Sequence, residues 1–140
     1  MNCDIVLDTN VLVSALLTKT GKPAQIIRMV SNERLKVLYS SAIFAEYVRV
    51  LRKPKLKIPN EWITELLNIF EILGKAINPP KSILPMKHEP DRVFYDTAVA
   101  ANAILVTGNL KHFPPKEFIM SPADFLKMMH ETEESFGAID

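Results

Sequence analysis

Cysteine is nearly absent from this chain: Cys3 is the only one. That excludes an intrachain disulfide and a cysteine-based metal site, and it fits a reducing compartment. Excess charge is missing too. Seventeen Lys and Arg against sixteen Asp and Glu leave a net +1, so no strong overall field advertises nucleic acid or a membrane. A ligand site must therefore be argued locally. No apolar run reaches the length of a spanning helix. At the N-terminus, Asp4 and Asp8 enclose only Ile5, Val6 and Leu7, which does not read as a signal peptide. Internal repeats and low-complexity segments are absent as well, and the expected setting is the cytoplasm. What is present is 140 residues, 48% of them hydrophobic, enough for one globular domain with a real core. That domain is expected over residues 1–130, followed by a frayed acidic tail over 131–140.

The chain is organised around residues 4–17. Ile5, Val6 and Leu7 suit a strand buried on both faces of a parallel sheet. Asp8, Thr9 and Asn10 end it, and Val11, Leu12, Ala15 and Leu16 recur at helical spacing. Asp8 is thus expected at the carboxyl end of the first strand, where open α/β sheets place their ligands. A plainer reading makes Asp8 or Thr9 the cap of the following helix.

Pro23 suits the first turn of a second helix, Leu35–Tyr39 reads as a strand, and Ser40 or Ser41 caps a helix striped by Ile43, Phe44, Tyr47, Val48 and Leu51. Glu46 falls at the margin of that stripe, a position commonly taken by a solvated flank residue. Arg49, Arg52, Lys53, Lys55 and Lys57 form a basic run that is either simply exposed or able to meet phosphates. Asn60 is expected to cap a helix carrying Trp62, Ile63, Leu66, Leu67, Ile69, Phe70 and Leu73, stopped by Gly74. The width of its apolar stripe suggests core, or a face for another subunit. Residues 76–78 make a short strand, and the proline-rich stretch 79–90 reads as a long, stiff loop. Asp91 opens a helix, Ile104–Val106 is a strand ending in Thr107, Gly108 and Asn109, and 118–120 a last short strand. Ser121, Pro122 and Asp124 make a good helix start.

Strands alternating with helices imply βαβ units and a mainly parallel sheet covered on both faces. That architecture gathers strand ends remote in sequence, so Asp8, Glu46, Asp91 and Asn109 are candidates for one site. Converging carboxylates repel unless a cation compensates, and oxygen ligands favour Mg²⁺ or Mn²⁺. Carboxylates around such ions suit phosphodiester hydrolysis.

Several pieces together resemble PIN-domain proteins over residues 3–128. They are Val6-Leu7-Asp8-Thr9-Asn10-Val11-Leu12-Val13-Ser14-Ala15; Ser41-Ala42-Ile43-Phe44-Ala45-Glu46-Tyr47; Pro90-Asp91-Arg92-Val93-Phe94-Tyr95-Asp96-Thr97-Ala98; Ile104-Leu105-Val106-Thr107-Gly108-Asn109; and Ser121-Pro122-Ala123-Asp124-Phe125-Leu126. Each alone is little more than a strand and an acid; in order, at these spacings, they are specific. The chain is most similar to the VapC-like toxins of type II toxin–antitoxin pairs. The resemblance implies a three-layer α/β/α fold and a Mg²⁺- or Mn²⁺-dependent ribonuclease, often dimeric, held inactive by an antitoxin. It assigns Asp8, Glu46 and Asp91 to the acidic metal positions and Asn109 to a fourth, which is aspartate in many members. Thr107 matches the hydroxyl that orients the site, and Asn10 the residue that steadies the first aspartate. Asparagine at 109 leaves three carboxylates, which argues for one tightly held ion.

Asp96, turned about 140° from Asp91 on the same helix, is expected behind the ligands or on the surface. His88, His112 and His130 have no ligand spacing to one another and are not expected to bind metal. RNA contacts are expected from Arg49, Arg52, Lys53, Arg92 and Lys111. Two rival classes remain. An aspartyl-phosphate enzyme would want a second acid where Asn10 stands. A catalytically weak domain of the same fold would only bind RNA or protein.

Overall fold

The first strand is apolar on both sides, and the structure shows why. Ile5, Val6 and Leu7 are each fully buried, because the strand runs up the middle of a sheet with helices on either face. This computed structural model describes residues 3–139, the side chains as far as residue 133. Its strands are β1 (Cys3–Leu7), β2 (Leu35–Tyr39), β3 (Lys75–Ala76), β4 (Ile104–Val106) and β5 (Ile119–Met120). They pair in the order β3-β2-β1-β4-β5, every pairing parallel. In register, Leu7 lies beside Val106. The chain leaves β1 towards β2 on one side and reaches β4 on the other. The strand order therefore switches at β1, so the carboxyl ends of β1 and β4 are where open parallel sheets place their ligands.

The helices are α1 (Thr9–Leu17), α2 (Lys22–Ser31), α3 (Ser41–Leu51), α4 (Asn60–Leu73), α5 (Arg92–Ala101) and α6 (Pro122–Ile139). Helix α2 packs with α4 and α6, α3 packs with α5, and α1 touches both α2 and α3. The α/β expectation with a parallel sheet is therefore met. Local chemistry sets several boundaries. Ser40 Oγ accepts from the Ile43 N–H and Ser121 Oγ from the Asp124 N–H, each capping the helix it precedes. Gly74 ends α4 as expected, though not through a left-handed turn, since its φ is −92°. A Cβ there would lie 2.5 Å from Phe70 O and 2.7 Å from Val37 O, so glycine is required by close packing on β2.

Three expectations need correction and one is narrowed. Asn60 is the first residue of α4 rather than its cap; Pro59 holds that place without a side-chain hydrogen bond. The short strand falls at Lys75–Ala76, one residue early. The α4 stripe is mostly core: Ile63, Leu66, Leu67 and Phe70 are buried, and only Trp62 stands out, with the Lys19 ammonium 5.1 Å from its ring centroid. Finally, the acidic stretch from Glu131 is helical in backbone to Ile139, and Arg34 pairs with Glu133. Asp140 lies outside the described residues.

Candidate active site

Asp8 continues the β1 ladder by one bond, its N–H donating to Val106 O at 3.0 Å. This fixes the carboxyl end of β1 against β4. The next residue of β4's exit, Thr107, is fully buried and donates its hydroxyl to Asp8 Oδ2 at 2.8 Å. The same hydroxyl accepts the Asn109 N–H at 2.9 Å, so Thr107 ties the first acid to the fourth site position. From the first turn of α1, Asn10 Oδ1 accepts the Gly108 N–H at 3.0 Å and holds the turn after β4 in place. Below this floor, the Tyr47 hydroxyl donates to Leu7 O at 2.5 Å, seating α3 on the end of β1. Neither Asp8 nor Asp91 spends its side chain on a helix cap. Asp8 takes the N-cap position of α1, as the plainer reading has it, but leaves its carboxylate free of the helix.

Asp91 closes a 3₁₀ turn over Glu89–Asp91 and is only 9% exposed. Its Oδ2 lies 3.0 Å from His112 Nδ1. The Asn109 amide nitrogen lies 2.8 Å from His112 Nε2. With that amide donating to Nε2, the ring proton sits on Nδ1 and is donated to Asp91. His112 therefore bridges two of the positions singled out from sequence.

Electrostatics show how the acids are arranged. Burial, opposed by the Thr107 hydrogen bond and reinforced by the Asp91 charge, pushes Asp8 from 3.8 up to about 6. Burial also raises Asp91, against the pull of His88 and His112, and the Glu46 charge adds to the rise. Asp8 thus feels the Asp91 charge and Asp91 feels the Glu46 charge, a row of carboxylates linked by repulsion. Glu46, part-buried on α3, is neutralised locally by Arg49, whose Nη2 and Nε lie 2.7 and 3.2 Å from its oxygens. The Thr9 hydroxyl, next to Asp8, is buried with no partner.

The structure therefore gathers Asp8, Asn10, Asp91, Thr107 and Asn109 at one end of the sheet, with Glu46 within electrostatic reach. Two expectations are narrowed. Arg92 is not free for phosphate: the residue is only 8% exposed, and its guanidinium is spent on Glu89, on Ser82 O and Oγ, and on Leu84 O. Of the two places expected for Asp96, the surface is removed: it is 7% exposed, its Oδ2 accepts the Ser82 N–H at 3.0 Å, and its Oδ1 is unpartnered. Arg52 and Lys111 are exposed and Lys53 part-buried. His88 and His112 were read as unrelated, yet their rings stack at 4.7 Å between centroids. One sign of His112 was present in the sequence. It stands three residues after Asn109, and in the 3₁₀ turn Leu110–His112 residues three apart face each other.

The family model described as PIN domain matches residues 4–111, which include every acid of the row together with Asn10, Thr107 and Asn109. The chain belongs to the PIN domain family. Among relatives of this PIN domain is protein MJ1680 of Methanocaldococcus jannaschii, 32% identical over 108 residues, covering 75% of this chain and 70% of the relative. Among solved structures, VapBC2 from Rickettsia felis, crystallised with a DNA fragment from its promoter, superposes with a TM-score of 0.55 at 21% identity. The alignment covers 84% of this chain and 96% of that one. At that identity the likeness concerns the fold. Among the described residues of this PIN domain, no helix is long and apolar enough to cross a membrane.

Proposed function

We propose that this PIN domain is a Mg²⁺- or Mn²⁺-dependent endoribonuclease and the toxin of a toxin–antitoxin pair. The observation that carries the reading is the first acid of the row, which has no cation of the chain against it. Asp8 is buried at 6% exposure beside Asp91, and its carboxyl is pushed to about 6 with no cationic side chain bonded to it. Buried charges persist when they are paired or coordinate metals. Asp8, Asp91 and Glu46 would hold the ion, with the Asn109 side chain available as a neutral oxygen donor. A bound divalent ion would polarise the phosphate and lower the pKa of the attacking water. The chain's own part is positional. Thr107 fixes which Asp8 oxygen faces the cleft, Asn10 and Gly108 hold the adjoining turn, and His112 sets the rotation of Asp91. Arg49 must yield Glu46 for that carboxylate to contribute.

The VapBC2 neighbour supports an antitoxin partner, and the reading extends to a homodimer in the cytoplasm acting on RNA. Substrate phosphates would meet Arg52, Lys53 and Lys111, and Arg49 once it parts from Glu46. A second reading, a catalytically weak RNA- or protein-binding module, draws on two observations: Asn109 in place of an acid, and Arg49 seated on Glu46. RNA cleavage measured with Mn²⁺ or Mg²⁺ and again with EDTA decides between them. Activity lost on chelation and restored by Mn²⁺ is expected. Undiminished cleavage in rigorously chelated buffer refutes the metal mechanism, and no cleavage under any condition favours the binding module.

A further inference from the structure

Two histidines lie against the central carboxylate of the row, and neither has a part in holding the ion proposed above. His88 immediately precedes the turn that carries Asp91, and His112 ends the turn after Asn109. One ligand-capable atom from each of His88, Asp91 and His112 falls within 4.8 Å of the others. The His112 Nδ1 to Asp91 Oδ2 distance of 3.0 Å is already that between adjacent donors on one ion, about 3.0 to 3.4 Å for bonds of about 2.1 Å. Closing the remaining gap requires a shift of roughly 1 to 2 Å at metal–ligand bond lengths. His88 can supply it, since it is exposed and sits in the loop before the turn. Two imidazoles and a carboxylate favour borderline transition ions, whereas Mg²⁺ prefers an all-oxygen shell.

We propose that His88, Asp91 and His112 form a nitrogen-containing divalent-ion site, suited to Zn²⁺ or Co²⁺, that shares Asp91 with the carboxylate site. Ligation through His112 Nδ1 moves that ring's proton to Nε2. A flip of the Asn109 amide then presents its oxygen to accept the proton, so both groups stay satisfied and that oxygen is withdrawn from the carboxylate site. Asp91 Oδ2 serves the imidazole side and leaves Oδ1 for the carboxylate site. The site thereby adds positive charge next to the fourth position, where asparagine has replaced a carboxylate and weakened the hold on a second ion. The sharing of Asp91 rests on the nuclease reading; the histidine ligation does not.

The test is Co²⁺ titration followed by visible absorption, with Zn²⁺ affinity by calorimetry, on wild type, His88→Ala, His112→Ala and Asp8→Asn. Expected are Co²⁺ bands of mixed nitrogen and oxygen ligation, at least tenfold weaker Zn²⁺ binding in each histidine variant, and both properties retained in Asp8→Asn. Should His112→Ala fail to fold by circular dichroism, His112→Gln, which keeps a donor near Asp91, takes its place. Zn²⁺ affinity within tenfold of wild type in either histidine variant, or an oxygen-only Co²⁺ spectrum, overturns the site. Mg²⁺-supported RNA cleavage by the wild type is measured in parallel. Nitrogen-ligated Co²⁺ without any cleavage would retire the nuclease reading and keep this site; cleavage without nitrogen ligation would do the reverse.

Discussion

Asp91 and Asp96 lie five residues apart, the first just before α5 and the second midway along it, both more than nine-tenths buried, yet they face opposite circumstances. Asp96 accepts a backbone N–H from Ser82, and one turn before it Arg92 binds Ser82, Leu84 and Glu89. Together they pin the proline-rich loop to α5. Asp91 instead faces Asp8, Glu46 and two imidazoles, and its only hydrogen-bond partner among the described residues is His112. Burial alone therefore does not mark a functional acid. The difference lies in what surrounds it: one main-chain N–H and the charge of a nearby arginine on one side, and on the other like charges that an external cation would relieve.

The sharpest way to break this contrast is to remove each charge in turn. Asp91→Asn is expected to lower RNA cleavage about a thousandfold, since several kcal/mol of metal-mediated stabilisation would be lost at 1.36 kcal/mol per decade. Asp96→Asn should cost about tenfold or less in cleavage and show its effect in unfolding instead. Equal, severe losses in two folded proteins would erase the distinction.

A second test concerns the cost of the uncompensated acid. Asp8 titrates near 6 when folded against 3.8 ordinarily. Between those values the folded chain binds more protons than the unfolded one, so metal-free stability falls as pH rises from about 4 to 6. The full difference is about 3 kcal/mol at 1.36 kcal/mol per unit. Asp8→Asn should therefore be inactive and, without metal above pH 6, more stable than wild type by about that amount in urea titrations. The same proton competes with the ion, so Mn²⁺ affinity should weaken as pH drops through 6. A wild type whose metal-free stability rises over this window would show that Asp8 is already compensated.

On the other side of the comparison, Arg92→Ala should lower the urea midpoint and leave RNA affinity and its salt dependence unchanged. The reverse pattern would return Arg92 to the RNA surface. The smallest effect is expected at Arg49. Replacing it with Ala frees Glu46 and should tighten Mn²⁺ binding by less than about fivefold, as for an exposed ion pair. Weaker binding instead would mean that Arg49 orients Glu46 rather than masking it.

Periodicity and end signals made most of the fold legible. Three consecutive buried residues before Asp8, the stripe Ile43–Tyr47–Leu51 and the caps at Ser40 and Ser121 are local in origin, and β2 and β4 fall at the expected residues. Strand ends depend on neighbours instead, so β3 moved by one residue to meet Leu38 and Tyr39. The α4 stripe looked wide enough for a partner because sequence cannot tell how much of a helix a sheet will cover.

At the site, an acid or amide closing an apolar strand is a local pattern and nominated Asp8 and Asn109, whereas Glu46, Asp91 and Thr107 took their roles from the resemblance to PIN-domain proteins, since neither acid ends a strand. The use made of polar groups was not local. Arg92 belongs to a loop ten residues upstream, Asp96 to the same loop, and His88 meets His112 only because two 3₁₀ turns bring them face to face. A side chain's hydrogen bonds and charge partners are chosen by whatever the packed chain brings within about 3 Å, and no spacing rule carries that information across about ten residues or more.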